Sequence, residues 1–360
     1  MQDPFAALTL ALDNQPDLAA EGRVLFMRAR PGVVLDRFQA RLFCEQPYKP
    51  WASALEASGL RIVRGSEGPF SMVLLLPERQ RQAMHADMAR AYDLLSPGGT
   101  LMMALPNDWG AKRTEKLLAG VAGNIDSLSK HRSRVFWARK EDGQPWDEDT
   151  LDQWRREGGL QRMMDGRFWS QPGLFSWNRI DDGSQLLVNH LPANISGRVA
   201  DLGVGWGFIS DHLLRNCHDI DSLDGYDADA DAIEAARRNL GIIPTPVRPR
   251  LHWHDVTTGL GEAKFDWVIT NPPFHEGRAA DPMLGVRFIT AAAQALVPTG
   301  QLWLVANRHL PYEHVLGETF EEHRSVAESH GFKVLAATGS KIRPAPSPRR
   351  KGKWKTKRKR

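Results

Sequence analysis

Apolar and polar positions in the second half of the chain follow the order of a strand, a helix and another strand. The short apolar run Phe265–Thr270 predicts a buried strand, and the spacing of apolar residues from Gly285 to Leu296 predicts a helix. The turn residues Pro298–Gly300 separate this helix from a second predicted strand, Gln301–Ala306. Two strands joined by a helix are the repeating unit of a parallel α/β sheet.

The first half of the chain repeats this order. Its predicted strand, helix, turn and strand are Phe70–Leu76, Pro77–Leu95, Pro97–Gly99 and Thr100–Leu105. Phe70 precedes Phe265 by 195 residues, whereas Gly99 precedes Gly300 by 201, so the second copy has gained six residues between its strand and its turn. This repetition indicates that the chain arose by duplication of one α/β domain.

The predicted fold is therefore α/β, with two tandem Rossmann-like domains that each contain a mostly parallel, doubly wound sheet. A polar, turn-rich stretch after Lys140 is typical of a linker between domains. The predicted units are a first domain, a linker, a second domain and a disordered basic tail: residues 1–140, 141–158, 159–342 and 343–360.

A glycine-rich loop follows a short predicted strand in the second domain. The strand ends at Asp201, and Gly203, Gly205 and Gly207 follow before a helical stretch begins at Phe208. Glycine lets the backbone approach a ligand closely at such a turn, and in doubly wound sheets ligands bind at this edge. Nicotinamide and flavin folds use similar spacing, and a plain turn also uses glycines, so the loop by itself leaves the ligand open.

Two acidic residues follow at positions where such folds contact a nucleoside. Asp227 lies 22 residues after Gly205, where a carboxylate can accept hydrogen bonds from both hydroxyls of a ribose. Asp255 follows a third predicted strand, where these folds contact adenine, although it could equally cap a surface helix. Ser176 and Asp181–Ser184 precede the first strand of the domain and are consistent with a capped helix over the cofactor.

The motif Asn271-Pro272-Pro273-Phe274 at the end of the fourth predicted strand indicates methyl transfer to an amine. The Asn271 side-chain oxygen and the Pro272 carbonyl can each accept one amine hydrogen, which directs the nitrogen lone pair at a sulfonium methyl group. Phe274 offers a ring on which an extruded base can stack. A simple turn could also use Asn-Pro-Pro, but the motif lies in register with Asp201, Asp227 and Asp255. The cofactor is therefore predicted to be S-adenosylmethionine, also in contact with Asn271, and no metal site or role for His275 and Glu276 is assigned.

Composition adds a basic tail and limits the cellular setting. The formal charge is +4, but nine basic residues lie between Arg349 and Arg360, so residues 1–348 carry a formal charge of −5. Such a tail cannot bury a core and is suited to binding RNA phosphates. The chain has no long apolar run and no secretory signal, and its two cysteines predict no disulfide framework. These features favour a cytoplasmic protein.

The chain resembles the ribosomal RNA small subunit methyltransferase C family, which are guanine-N2 methyltransferases of 16S rRNA. The resemblance covers nearly the whole length and rests on Gly173–Ser176, Asp182–Leu187, Asp201–Gly203, Asn271–His275, Val305–Asn307 and Leu310–Tyr312. It implies that both halves are class I methyltransferase domains, that only the second is catalytic, and that the first aids folding or RNA placement. Consistent with this, the first copy has Leu76–Arg79 in place of Asn-Pro-Pro-Phe.

The substrate is open to more than one interpretation. The family implies ribosomal RNA or the small ribosomal subunit as the partner, but a sister group with the same plan methylates guanine in 23S rRNA. Val204 and Trp206 depart from the commoner Gly-Cys-Gly-Ala-Gly loop, and the basic tail is an addition. Adenine N6 and a glutamine amide also fit Asn-Pro-Pro chemistry. An RNA-binding assembly factor without activity is the alternative from another class.

Overall fold

The computed structural model describes residues 2–19, 21–32, 37–141, 143, 145–273, 275–276, 279–280 and 282–342. The predicted stacking residue Phe274 and the predicted tail, residues 343–360, lie outside the described residues. The backbone of His275–Glu276 and Ala279–Ala280 is described, and each of these pairs forms a short strand.

The first half of the chain builds a mixed sheet of described strands in the order β2-β1-β3-β4-β6-β5. The strands β1 to β4 pair in parallel, and β5 and β6 run antiparallel at one edge. The strand bounds are β1 Val24–Met27, β2 Leu42–Glu45, β3 Phe70–Leu75, β4 Leu95–Pro106, β5 Asp126–Lys130 and β6 Ser133–Arg139.

Helices cover both faces of this sheet, which is why its central strands are apolar at nearly every position. Val73 and Leu75 point into one buried cluster and Met72 and Leu74 into another. The helices are α1 Pro4–Asn14, α2 Lys49–Ala57, α3 Arg81–Leu94, α4 Ala111–Ala122 and α5 Glu148–Gly158.

The second half builds a sheet in the order β11-β10-β9-β12-β15-β17-β16, again with its last two strands antiparallel. The strands of this sheet are β9 Ser196–Leu202, β10 Asp219–Asp227, β11 Arg250–Trp253, β12 Phe265–Thr270, β15 Leu296–Asn307, β16 Phe320–Ser329 and β17 Phe332–Ser340. Two small hairpins lie outside it: β7 Gln161–Met163 pairs with β8 Phe168–Ser170, and β13 His275–Glu276 pairs with β14 Ala279–Ala280. The helices are α6 Asp182–His190, α7 Phe208–Asn216, α8 Ala230–Gly241, α9 Pro282–Ala295 and α10 Tyr312–Thr319.

The predicted duplication and the α/β fold are confirmed. The two described sheets share one strand order, to which the second adds β11 at its edge. The strands β3 and β12 begin 195 residues apart, whereas the helices α3 and α9 begin 201 apart, so the six additional residues lie between Thr270 and Pro282. This interval contains the Asn-Pro-Pro-Phe motif.

Two local predictions need correction. The predicted turns at Pro97–Gly99 and Pro298–Gly300 lie inside the long strands β4 and β15, where the pairing register shifts. Proline cannot donate a hydrogen bond between strands, and glycine tolerates the backbone of a β-bulge. The same residue types are therefore typical of turns and of bulges within strands. The second half of the predicted linker, residues 141–158, forms helix α5, because Leu151 and Trp154 pack into the core of the first sheet. The division into domains otherwise stays a prediction.

Within the described residues, no helix is both long enough and apolar enough to cross a membrane.

Candidate active site

The glycine loop lies at the carboxyl end of β9, at the centre of the second sheet. Gly203, Gly205 and Gly207 have φ values of +78°, +55° and +96°, a conformation that side chains rarely adopt. Gly203 and Gly205 line the largest cavity at this edge, whereas Gly207 faces Leu240 of α8 and precedes the first residue of α7. The loop therefore presents two of the three predicted glycines to a ligand.

Asp227 lies where the sequence places it, at the carboxyl end of β10, and it lines the same cavity. Its Oδ2 accepts a 2.8 Å hydrogen bond from the Gly205 amide, and its Oδ1 accepts a 2.8 Å bond from the Asp229 amide. Burial raises the pKa of Asp227, and these backbone bonds oppose the shift. A carboxylate can accept about four hydrogen bonds, so Asp227 can still accept from a ligand hydroxyl.

Asp255 forms the helix cap that one interpretation of its sequence position predicts. Its carboxylate caps the short 3₁₀ helix Val256–Thr258 by accepting from the amide and hydroxyl of Thr257, at 2.9 and 2.6 Å. The residue also lines the cavity that holds Gly203 and Asp227. Its contact with adenine stays a prediction.

Asp201 lies beneath the loop instead of on the cavity wall formed by the described residues. It is fully buried, and its Oδ2 accepts a 2.7 Å bond from the Ser210 hydroxyl. Burial raises its pKa to about 7. Among the described residues nothing bonds to its Oδ1, and the buried Ser176 hydroxyl, at the wall of an adjoining smaller compartment, is also without a partner there. The Ser176 hydroxyl thus remains available to a polar ligand in this compartment, whereas Asp201 is buried away from it.

Asn271 follows β12 directly, and its amide is held by the segment that precedes the second sheet. The Nδ2 group donates to Asp181 Oδ2 at 3.0 Å and to Ser184 Oγ at 2.8 Å, and Asp181 also caps helix α6 through the Ser184 amide. Because a carboxylate only accepts, the amide nitrogen must face Asp181. Both Nδ2 hydrogens are then used, and Oδ1 is the atom of Asn271 that can accept from a substrate.

The cavity that joins these residues has a volume of about 530 Å³, which lies within the usual range of small-molecule sites. Pro272 and Pro273 lie on its wall. The sequence interpretation missed several residues that line it, including some from the first half of the chain: Tyr48, Pro50, Glu78, Gly173, Phe175 and Arg287. Tyr48, Pro50 and Glu78 carry no local signal, because packing of the two halves brings them here, whereas Gly173 and Phe175 lie in a segment that the family resemblance had already marked.

Comparison with known proteins agrees with this geometry. Residues 165–336 match the family model for the methyltransferase small domain. The chain is 30% identical over 272 residues to the ribosomal RNA small subunit methyltransferase C of Psychromonas ingrahamii, covering 75% of this chain and 76% of that protein. It is 32% identical over 261 residues to the protein of the same name from Escherichia coli, with 72% of each chain covered.

A solved structure extends the likeness over both halves. The 16S rRNA N2 G1207 methyltransferase of T. thermophilus, in complex with AdoMet and guanosine, matches with a TM-score of 0.75 and 26% identity. The match covers 94% of this chain and 92% of that one. Fold and site thus define a class I methyltransferase. Within that class, the chain belongs to the ribosomal RNA small subunit methyltransferase C family, as its sequence motifs predict.

Proposed function

We propose that this enzyme transfers a methyl group from S-adenosylmethionine to guanine N2 in 16S rRNA. The observation that carries the proposal is the fixed amide of Asn271, whose Oδ1 is left to accept a bond at the wall of a cavity shared with the glycine loop and Asp227. The names of the curated relatives and the ligands of the T. thermophilus structure support the same reaction.

The residues at the cavity fit S-adenosylmethionine, which when bound supplies an electrophilic methyl group on sulfur. Asp227 would accept hydrogen bonds from the ribose hydroxyls, and Asp255 would contact adenine. Gly203 and Gly205 have no side chains, so the loop backbone could lie close to the ligand. The buried Ser176 hydroxyl lines the adjoining compartment without a partner among the described residues, and it would donate to the carboxylate of the methionine portion. Asn271 lines both compartments and would therefore lie next to the bound cofactor.

Orientation of the amine is the main contribution of the protein. Asn271 Oδ1 and the Pro272 carbonyl would each accept one hydrogen of the guanine amino group, which turns the nitrogen lone pair away from the ring. Because both Nδ2 hydrogens of Asn271 are used by Asp181 and Ser184, the side chain selects a hydrogen-bond donor as its substrate. The methylated nitrogen is strongly acidic, so its proton leaves without a strong base. Phe274 is proposed as the stacking partner of the base.

The first half of the chain is proposed to be a degenerate domain without a cofactor site. Glu45 ends β2, the strand whose sheet position corresponds to that of β10, which ends at Asp227. Both carboxylate oxygens of Glu45 bind Arg90, at 2.6 and 2.7 Å. Arg28, after β1, replaces the glycine loop and binds Asp87 at 2.6 Å. These ion pairs occupy the groups that a nucleoside would need.

The experiment that tests the function is nucleoside mass spectrometry of 16S and 23S rRNA from a deletion strain. We expect N2-methylguanosine to decrease at one site of 16S rRNA and to return when the gene is supplied on a plasmid. A loss confined to 23S rRNA would move the activity to the other subunit, and unchanged N2-methylguanosine in both would reject guanine-N2 transfer. In a cell, the proposed site of action is the cytoplasm, where ribosomes are assembled.

The hydrogen bonds that fix the Asn271 amide predict the effect of Ser184→Ala. This change removes one of the two acceptors of the Asn271 amide, so the side chain can rotate and kcat should fall about fivefold to tenfold, the effect of one net hydrogen bond. The cofactor dissociation constant, measured by calorimetry, should change far less. Ser340→Ala is the matched control, because Ser340 bonds the Ala293 carbonyl away from the cavity. Equal effects of the two variants on kcat would contradict the role of Ser184.

The basic tail is proposed to bind RNA phosphates. Its nine positive charges should add about 0.7 to 0.9 per phosphate contact to the slope of log affinity against log salt concentration. Replacement of residues 349–360 by a glycine-serine segment of equal length should flatten that slope in an RNA filter-binding assay while kcat at saturating RNA stays the same. An unchanged slope would show that the tail does not engage RNA.

A further inference from the structure

The first half of the chain contacts the second directly beside Asp227. The Lys49 amide donates to the Ala228 carbonyl at 2.7 Å, and the Ala230 amide donates to the Pro47 carbonyl at 3.0 Å. These two bonds join Tyr48 and Asp229 in an antiparallel bridge. A segment of the first half thus pairs with the residues that immediately follow the ribose carboxylate.

Trp253, the last residue of β11, reinforces this pairing. Its indole Nε1–H points at both segments, 2.7 Å from the Pro47 carbonyl and 2.9 Å from the Ala228 carbonyl. The cations of Lys49 and Arg64 lie 4.6 and 5.0 Å from the centre of its ring. On its other side Trp253 packs in a small apolar cluster with Val204 of the glycine loop. One side chain therefore connects the first half, the ribose loop and the glycine loop.

Charge gives a second reason for this contact. Asp227, Asp229 and Asp231 lie within five residues of one another, and burial together with their mutual repulsion raises the pKa of Asp229. Arg28 of the first half opposes that shift and the similar one of Asp231. The positive charge of Arg28 therefore stabilises this acidic segment from the first half.

We propose that the first half is a working part of the cofactor site, and that Pro47–Lys49 holds the loop Asp227–Ala230 in its ribose-binding conformation. Asp229 connects the first half to the ribose carboxylate. Its amide donates to Asp227 Oδ1, while its neighbours Ala228 and Ala230 bond to the first half. Tyr48 and Pro50 also reach the cavity wall. Trp253 is a positioning residue in this arrangement. The inference rests on the proposed placement of the cofactor ribose at Asp227.

Lys49 offers a sharp test, because it is the first residue of helix α2 and its amide has no partner within the helix. Proline is favoured at that position, and Tyr48 before it already has the extended conformation that proline requires. Lys49→Pro therefore removes the bond to the Ala228 carbonyl with little cost to the helix. Lys49→Ala is the matched control, since it loses the same side chain but keeps the amide hydrogen.

We expect Lys49→Pro to bind S-adenosylmethionine about fivefold more weakly than Lys49→Ala in titration calorimetry, with kcat at saturating cofactor unchanged. Equal dissociation constants for the two variants would overturn the inference. If Lys49→Pro does not fold, as judged by circular dichroism, Trp253→Phe decides. Phenylalanine keeps an aromatic ring but lacks the Nε1–H donor. Weaker binding of S-adenosylmethionine than in the unaltered protein supports the inference, and equal binding rejects it. Failure of the unaltered protein to bind the cofactor would instead reject the proposed function.

Discussion

Replacing Asn271 with alanine is expected to lower kcat by about 100-fold to 1000-fold while the protein still binds S-adenosylmethionine. The expected size is that of losing a preorganised hydrogen-bonding group at a reacting centre. Without Oδ1 the amine is bound by the Pro272 carbonyl alone, and its lone pair is no longer directed at the methyl group. Single-turnover kinetics with radiolabelled cofactor measure the loss, and calorimetry measures cofactor binding.

Asn271→Asp separates hydrogen bonding from shape. Aspartate has the size of asparagine and offers acceptors to the amine, but it loses the Nδ2 donors and places a second carboxylate at the 3.0 Å contact with Asp181. We expect this variant to be impaired as strongly as Asn271→Ala. In the double variant with Asp181→Asn, the new amide can donate to the introduced carboxylate and restore part of the activity. A loss of cofactor binding equal to the loss of kcat in Asn271→Ala would contradict the assignment to amine orientation.

Replacing Asp227 with alanine is expected to give the opposite pattern. The cofactor dissociation constant should rise by the equivalent of about 1 to 3 kcal/mol, the usual effect of a lost hydrogen bond to a charged group. Two effects combine, because the carboxylate would bind the ribose and also accepts from the Gly205 and Asp229 amides. At saturating cofactor, kcat should recover most of its original value, which steady-state kinetics at several cofactor concentrations can measure.

Asp221→Ala is a suitable control for this prediction. Asp221 lies on the same strand, β10, but its side chain is exposed and does not line the cavity formed by the described residues. We expect its dissociation constant to match that of the unaltered protein. If Asp227→Ala also binds the cofactor normally, Asp227 has no place in the site and the ribose must be held elsewhere.

Much of the fold could be predicted from the chain itself, because strand and helix patterns are local. The apolar run Phe265–Thr270 and its counterpart from Phe70 are the strands β12 and β3, and the difference in their spacing to the next helix locates the additional residues that carry Asn271. The linker was the weakest prediction. Its polar composition conceals Leu151 and Trp154, which are buried only because α5 packs on α3.

The candidate site also has features that the sequence predicts locally and features that only packing decides. Glycines with positive φ and a carboxylate 22 residues later are dictated by the chain locally, and so is the acceptor chemistry of Asn271. Local sequence does not show which of several aspartates faces the cavity. Asp201 precedes the glycines in the motif, yet it is buried under the loop, whereas Asp227 faces the cavity.

The sequence by itself determined that two copies of one α/β unit are joined and that the second carries the Asn-Pro-Pro-Phe motif and a glycine loop. Only the tertiary structure decided how those groups are held. The Asn271 amide is fixed by Asp181, 90 residues earlier, and Trp253, beside the loop Asp227–Ala230, bonds to Pro47, 206 residues away. Such contacts depend on how whole sheets and helices pack, and no local pattern of residues encodes that packing.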